Sequence, residues 1–267
     1  LSLEDPRQTA STPTISFSDT PSTSFINFSS YNYLGYATHP DVIKAAKHAL
    51  DQYGLSASSS PLAGGYLDLH KHLETSLIQF YGFDKRYGVS LFNSGFSANI
   101  GSISALIDSH DTVICDEFTH ASIIEGITLS GATVLFFKHN NTTHLNNILQ
   151  ELAPSENTLV CVESIYSTKG DFAPLKDIVS ICKKHQAKIL VDEAHSALIS
   201  GPNGRGCCED ENVLHDIDYL ILTFSKAFGA IGGALIAKQD VCNYVNFHAT
   251  SRMFSCGLDP AVTAGTI

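Results

Sequence analysis

Short apolar runs alternate with amphipathic stretches along most of the chain after residue 40. Six runs predict β-strands: DTVICD, ATVLFFK, TLVCVES, AKILVDE, DYLILTF and GGALIAK. Five stretches have the spacing and end signals of helices: HPDVIKAAKHALDQYG, LDLHKHLETSLIQFYG, HASIIEGITLSG, THLNNILQEL and APLKDIVSICKKHQ. Because helices separate several of the strands, and the strand runs are apolar throughout, the pattern predicts an α/β protein whose mostly parallel sheet is buried on both faces.

Polar residues follow the predicted strands at the points where the strands end. In a parallel sheet the ligand lies beyond the carboxyl ends of the strands, so these residues are the candidates for chemistry. They are Asp192 and His195 after KILV, Glu163 and Ser167 after LVCV, His120 after VICDEF, Thr223 and Lys226 after YLIL, and Ser94 and Gly95 at the start of a helix in FNSGFSAN. Each has an ordinary explanation when taken singly, such as a helix cap or a solvated charge. Their coincidence at one edge of a sheet indicates a site.

Composition narrows the range of partners. The chain is 43% hydrophobic with a formal net charge of −11, which argues against a nucleic-acid or anionic-membrane partner. No apolar run approaches the roughly 20 residues of a membrane-spanning helix. Seven cysteines without a C-x-x-C pair are typical of reduced thiols in a cytoplasmic protein.

The chemistry that these strand-end residues share is that of pyridoxal 5′-phosphate (PLP). Lys226 supplies the amine for a Schiff base, and Asp192 supplies a carboxylate to face the pyridine nitrogen and keep the ring cationic. His120 is a flat side chain that can stack on the ring. The phosphate needs hydroxyls and the N–H groups of a helix amino terminus, and the candidates for this role are Ser94, Gly95, Phe96, Ser167 and Thr223.

Five segments then resemble, in order, the successive motifs of the α-oxoamine synthases: INFSSYNYLGYATHP, LFNSGFSANIG, CDEFTHASIIEG, VDEAHSALISGPNGRG and LTFSKAFGAIGG. These are PLP enzymes of the fold-type I aminotransferase class, and the resemblance runs from about residue 25 to the end. It implies an N-terminal arm over residues 1–40 and a PLP-binding large domain over residues 41–267. That domain is expected to hold a seven-stranded, mostly parallel sheet flanked by helices, and the family's C-terminal domain is expected to be absent or truncated.

The resemblance also implies roles for single residues. Lys226 would hold the cofactor and later move the α-proton of the substrate, and His195 would bond the phenolic oxygen of the ring. Asn32 would reach the carboxylate of the amino acid, and Glu163 would lie beside the site. The implied reaction is decarboxylative condensation of an amino acid with an acyl-CoA thioester to an α-aminoketone, in a homodimer with its sites at the interface.

Two alternatives keep the cofactor or the fold and change the function. One is another fold-type I PLP enzyme, an aminotransferase or a carbon–sulfur lyase. The other is a non-catalytic partner subunit, which the presence of Lys226 disfavours. Pro61 stands where family members commonly carry an arginine, and this departure concerns recognition of the acyl donor.

Other classes of enzyme lack their defining motifs. VDEAH resembles a segment of DEAH-type helicases, but the chain has no G-x-x-x-x-G-K-[ST] phosphate loop. A serine hydrolase would need G-x-S-x-G, and a zinc enzyme would need H-E-x-x-H or clustered histidines and cysteines. None of these patterns is present, so we expect no metal site.

Overall fold

The computed structural model describes residues 2–4, 14–16, 28–152 and 157–267. Near the amino end, β1 (Ser2–Glu4) and β2 (Thr14–Ser16) pair as a two-stranded antiparallel sheet. The arm predicted for residues 1–40 falls partly outside the described residues. Its separation from a domain over residues 41–267 stays a prediction.

The main body contains seven further strands and ten α-helices within the described ranges. The strands are β3 (Tyr87–Phe92), β4 (Thr112–Asp116), β5 (Thr133–Phe137), β6 (Thr158–Glu163), β7 (Lys188–Asp192), β8 (Tyr219–Thr223) and β9 (Gly233–Lys238). The helices are α1 (Pro40–Tyr53), α2 (Asp68–Tyr81), α3 (Gly95–Leu106), α4 (Ala121–Ser130), α5 (Thr142–Glu151), α6 (Leu175–His185), α7 (Cys207–Asp210), α8 (Gln239–His248), α9 (Thr250–Met253) and α10 (Pro260–Thr266). All six predicted strands and five predicted helices are confirmed.

The seven strands form one sheet in the order β3-β9-β8-β7-β6-β4-β5. Strands β4 to β8 run parallel to one another, and β9 runs antiparallel to both of its neighbours, β3 and β8. The prediction of a mostly parallel seven-stranded sheet is therefore confirmed. Because β3 and β4 to β8 all point the same way, their carboxyl ends meet at one edge, and β9 begins at that edge.

The sheet is covered on both sides by apolar side chains. In β4, for example, Ile114 belongs to the core on one face, whereas Val113 and Cys115 belong to the core on the other. The expectation that every apolar strand is buried is wrong for β5. This strand forms the edge of the sheet, and its Val134 and Phe136 side chains are 36% and 46% exposed.

Local sequence signals set the starts of several of the described helices. Ser94 caps α3 by accepting a hydrogen bond from the Ser97 N–H at 2.9 Å, and the Ser97 hydroxyl accepts one from the Ser94 N–H at 3.0 Å. Proline begins α1 and α10, where its missing N–H costs no helical bond. Among the described residues, the structure has no helix long and apolar enough to cross a membrane.

Candidate active site

Strand register brings the predicted residues together at the carboxyl edge of the sheet. Glu163, the last residue of β6, lies directly beside Asp192, the last residue of β7. Thr223 at the end of β8 lies beside Gly233 at the start of β9, which in turn pairs with Phe92 at the end of β3. The loops that follow these strands therefore share one rim.

A small cavity of about 110 Å³ opens at this rim. Seven residues predicted from the sequence line it, together with three that were not predicted. They are Gly95, Phe96, His120, Glu163, Asp192, Thr223 and Lys226, and then Asn99, Ser122 and Ala194.

The floor of the cavity depends on two glycines that allow backbone segments to approach closely. A Cβ atom on Gly95 would lie 2.7 Å from the Cβ of Thr223 and 2.9 Å from its hydroxyl oxygen. A Cβ atom on Gly233 would lie 2.7 Å from the backbone nitrogen of Gly95. All three distances are below any normal contact, so the start of α3 can rest on β8 and β9 only because these residues lack side chains.

The amino terminus of α3 presents hydrogen-bond donors at the cavity. Of its first N–H groups, that of Ser97 bonds the Ser94 hydroxyl at 2.9 Å and that of Ala98 bonds the Ser94 carbonyl at 3.0 Å. The N–H groups of Gly95 and Phe96 donate to no other described residue. Two unpaired donors at the positive end of a twelve-residue helix favour an anion.

Asp192 is held by a short polar network. Its side chain is 5% exposed. One carboxylate oxygen accepts a hydrogen bond of 2.7 Å from the Asn99 side-chain amide, and the other accepts one of 2.9 Å from the Ala194 N–H. The Asn99 amide also donates to the Ser122 hydroxyl at 3.0 Å, and that hydroxyl lies 2.7 Å from Nδ1 of His120. The network thus links the carboxylate to the exposed imidazole at the start of α4.

Lys226 ends a second polar chain. Its Nζ lies 2.6 Å from Nε2 of His195, whose Nδ1 lies 2.8 Å from the Tyr33 hydroxyl. Nζ also lies 5.7 Å from the centre of the Tyr31 ring. Two tyrosines from the segment before α1 therefore close the side of the site on which the lysine lies.

The protonation of this chain follows from its surroundings. Burial, followed by the effects of Lys226 and His120, lowers the pKa of His195 to about 4, so its imidazole is neutral near pH 7. Burial also lowers the pKa of Lys226, although Asp192 and Glu163 oppose that effect. A lowered pKa increases the fraction of neutral amine, which is the nucleophilic form.

Glu163 is a strongly perturbed acid at the rim. Burial, followed by repulsion from Asp192, raises its pKa to about 7, and the N–H groups of Ser167 and His120 and the charge of Lys226 oppose the rise. One of its oxygens accepts from the Ser167 N–H at 3.2 Å. The other oxygen is buried and makes no hydrogen bond with the described part of the chain. A buried polar atom without a partner points to a ligand group or solvent.

Four predicted residues lie outside the cavity lining. His195 joins the site through Lys226, and Ser94 acts as the cap of α3. The exposed Ser167 meets the site through its N–H bond to Glu163. The side-chain oxygen of Asn32 accepts a bond of 3.2 Å from the Ala37 N–H, so here it shapes the turn next to Tyr33.

Sequence reasoning did not assign Asn99, Ser122 or Tyr33. Asn99 could have been predicted from the sequence, because it is a polar residue inside the apolar helix α3, four residues after Gly95 and on the same face. Ser122 lies two residues after His120, where a hydroxyl also fits the ordinary role of a helix residue. Tyr33 lies far from His195 along the chain, and no local pattern indicates their contact.

Curated relatives are similar to most of this chain. An 8-amino-7-oxononanoate synthase of Aliivibrio fischeri is 39% identical over 238 residues, which cover 89% of this chain and 61% of the relative. A serine palmitoyltransferase of Sphingomonas paucimobilis is 38% identical over 234 residues, which cover 88% of this chain and 55% of the relative. The chain therefore spans about three fifths of the length of the relatives that it matches.

Solved structures agree in fold. The high-resolution structure of SPT with a PLP internal aldimine matches 97% of this chain and 63% of its own, with a TM-score of 0.91 and 36% identity. A Sphingomonas wittichii serine palmitoyltransferase matches 99% of this chain and 66% of its own, with a TM-score of 0.90 and 34% identity. The family model for aminotransferase class I and II matches residues 23–267. The resemblance to the α-oxoamine synthases is thereby confirmed, and the chain belongs to the aminotransferase class I and II family.

Proposed function

We propose that this protein binds PLP through Lys226 and catalyses the decarboxylative condensation of an amino acid with an acyl-CoA thioester to an α-aminoketone. One observation carries the proposal. The Lys226 amine and the Asp192 carboxylate line the same small cavity as Gly95 and Phe96, whose N–H groups donate to no other described residue. The names of the relatives, a synthase of an aminooxo acid and a palmitoyltransferase, support acyl transfer to an amino acid.

The residues present fit this cofactor. Lys226 supplies an amine with a lowered pKa for the covalent bond. Asp192 supplies a carboxylate that Asn99 orients, as the pyridine nitrogen requires. The N–H groups of Gly95 and Phe96 and the Thr223 hydroxyl suit a phosphate. The buried and unpaired oxygen of Glu163 is consistent with a site built around a further molecule.

Bound PLP would act as an electron sink for a carbanion of the substrate. The protein would supply orientation and proton transfer. Lys226 Nζ would accept the α-proton, and the neutral His195 Nε2, 2.6 Å away, would bond the phenolic oxygen of the ring. Exposed His120 would cover one face of the ring, and Asn32, beside the Tyr33 end of the site, would reach the carboxylate of the amino acid. Ser94 and Ser167 would complete the surroundings of the phosphate, and Glu163 would lie beside the site.

The first test is covalent labelling of the lysine. Purified protein is incubated with PLP and reduced with borohydride, and its peptides are analysed by mass spectrometry. We expect one pyridoxyl group, on Lys226, which is lost in Lys226→Ala and retained in the control Lys176→Ala at an exposed position on α6. A label that stays in full in Lys226→Ala would exclude the assignment.

The second test separates binding from catalysis. We expect Asp192→Asn to keep the label on Lys226. Its exchange of the α-proton of an amino acid with solvent should be at least about 100-fold slower, because a neutral partner no longer favours the cationic ring. The exposed Asp177→Asn on α6 is the control. Condensation is monitored by measuring the CoA and carbon dioxide that are released, over a panel of amino acids and acyl-CoAs. Equal exchange rates in Asp192→Asn and the parent would contradict the role of the carboxylate.

We also infer a homodimer with its sites at the interface and a cytoplasmic location. The apolar side chains of Phe28, Tyr31 and Leu34 are 91%, 57% and 44% exposed in the segment that reaches the site, which supports a covering partner. All seven cysteines are free thiols and six of them are buried, which fits a reducing compartment. Light scattering tests the first inference, and a monomer that binds PLP tightly would exclude it.

A further inference from the structure

A histidine outside the cavity lies between two carboxylates. His139 follows β5, and its Nδ1 lies 2.8 Å from a carboxylate oxygen of Asp116 while its Nε2 lies 2.9 Å from one of Asp171. The side chains of His139, Asp116 and Asp171 are 16%, 0% and 48% exposed. Each ring nitrogen therefore faces an acceptor, and only the imidazolium, with two N–H groups, can donate to both.

The surroundings favour this charged form. Burial lowers the pKa of His139, but the hydrogen bonds and charges of Asp116 and Asp171 outweigh it, so the pKa is raised overall. The rings of Phe118 and Tyr166 lie nearly perpendicular to the imidazole, with ring centres 4.9 Å and 4.7 Å away.

Three further charged groups lie near this imidazole. Lys169 sits 4.3 Å above the Phe118 ring, and the neighbouring Lys138 is paired with Glu117 at 3.2 Å. Glu117 also accepts the His139 N–H at 3.0 Å. Both lysines therefore have other partners, and the two aspartates remain the main electrostatic influence on His139.

The two carboxylates belong to different loops of the active site. Asp116 ends β4 and organises the turn towards His120, because it accepts the N–H groups of Phe118 and Asn140, each at 2.9 Å. Asp171 lies in the loop after β6, and its carbonyl accepts the Tyr166 N–H at 3.0 Å. The His139 imidazole is thus a bridge between the loop that carries His120 and the loop that carries Ser167.

We propose that His139 is a positioning residue that holds these two loops at the separation that the cofactor site needs. The inference rests on the proposed function of the cavity, whereas the bridge itself does not. Residues 116–120 lead to His120, which lines the cavity, and residues 163–172 lead from Glu163, which also lines it. When the bridge is removed, the buried Asp116 carboxylate loses its cation, and both loops loosen.

The bridge depends on pH in a fixed direction. Because the pKa of His139 is higher in the folded protein than in the unfolded chain, its contribution is complete below the ordinary histidine pKa. The contribution is lost as the pH rises through the raised value. The loops should therefore be held most firmly below the ordinary histidine pKa and should loosen as the pH rises through the raised value.

The experiment compares His139→Gln and Asp171→Asn with His48→Gln, a control at an exposed position on α1. In the parent without PLP, an NMR titration should find a His139 pKa above the ordinary histidine value, with both ring nitrogens protonated on the acid side of that pKa. Asp171→Asn keeps an acceptor for Nε2 and removes the charge, so it should lower that pKa even if His139→Gln folds poorly. A pKa at or below the ordinary range in the parent would overturn the proposal.

Loop mobility and cofactor affinity complete the test. Hydrogen exchange in residues 116–122 and 163–172 should become at least about tenfold faster in His139→Gln, and the Kd for PLP should rise by about the same factor. His48→Gln should change neither. If the parent fails to bind PLP, the proposed function is wrong, while the titration and exchange data still decide on the bridge. Unchanged exchange and PLP affinity in His139→Gln would overturn the proposal.

Discussion

A substitution of Glu163 measures how much the buried carboxylate lowers the free energy of unfolding. Its side chain is 3% exposed and lies beside Asp192, and its pKa is raised to about 7 by burial and by that neighbour. The change Glu163→Gln keeps the shape and an oxygen that can accept the Ser167 N–H, and it removes the titrating charge. We expect the cofactor-free variant to be more stable than the parent in neutral and alkaline solution.

The size and sign of this difference in stability follow from proton linkage. The carboxyl group has an ordinary pKa of 4.5 in the unfolded chain and about 7 in the folded protein, and each pH unit between them is worth about 1.4 kcal/mol. The folded protein holds this proton more tightly, so the penalty is absent below pH 4.5, grows between the two values and is constant above about 7. At its full size the penalty is about 3 kcal/mol, as an order of magnitude.

The assay is chemical denaturation of the cofactor-free protein at several pH values. The difference in the free energy of unfolding between Glu163→Gln and the parent should be near zero at pH 4.5 and should approach the full penalty above pH 7. Glu125→Gln, at an exposed position on α4, should show no such trend. A difference that is independent of pH, or one that shrinks as the pH rises, would refute the assignment of the raised pKa to this carboxyl group.

Three further changes test other parts of the site. Tyr33→Phe removes the 2.8 Å bond to His195, so it should lower the free energy of unfolding by about 1 kcal/mol and change the NMR signal of His195. An unchanged signal would contradict the contact. Asn99→Ala removes the 2.7 Å bond to the Asp192 carboxylate and should weaken PLP binding by about 2 kcal/mol in a fluorescence titration, whereas equal affinity would show that Asp192 needs no such support. Gly233→Ala forces a Cβ against the backbone of Gly95 and should cost about 2 kcal/mol or more in thermal unfolding; full stability would mean that α3 is free to move away.

Much of the site was predictable because a parallel sheet converts sequence position into spatial position. Apolar runs identify strands, and residues just after them meet at one edge whatever the intervening helices do. Asp192 and Glu163 were found in this way, and their pairing in adjacent strands confirms the reasoning. The same logic fails for β3, whose Gly88 and Ser90 interrupt the apolar pattern, so that it was not predicted as a strand.

Contacts between distant segments were not predictable from local patterns. The contact of Tyr33 with His195 joins residues 162 positions apart, and it depends on how the segment before α1 crosses the rim. The exposure of β5 depends on its place at the edge of the sheet, which strand order decides and apolarity does not. The bridge of His139 could not be predicted from local patterns either, because its partners Asp116 and Asp171 lie in two other loops.

The length of α3 between its two functional contacts limits the ligand that this site accepts. Gly95 and Phe96 offer N–H groups at the start of the helix, and Asn99 holds the Asp192 carboxylate one turn later. Gly95 and Asn99 are four residues apart, which is about 6 Å along the helix axis, so a molecule that places an anion at the helix start and a cationic ring nitrogen at Asp192 would span about that distance. In a protein with a net charge of −11, this helix end is a local exception that favours an anion, while the carboxylates favour a cation. In the proposed function, the same helix would therefore orient both ends of PLP, and Lys226 would only have to reach the side of the ring between them.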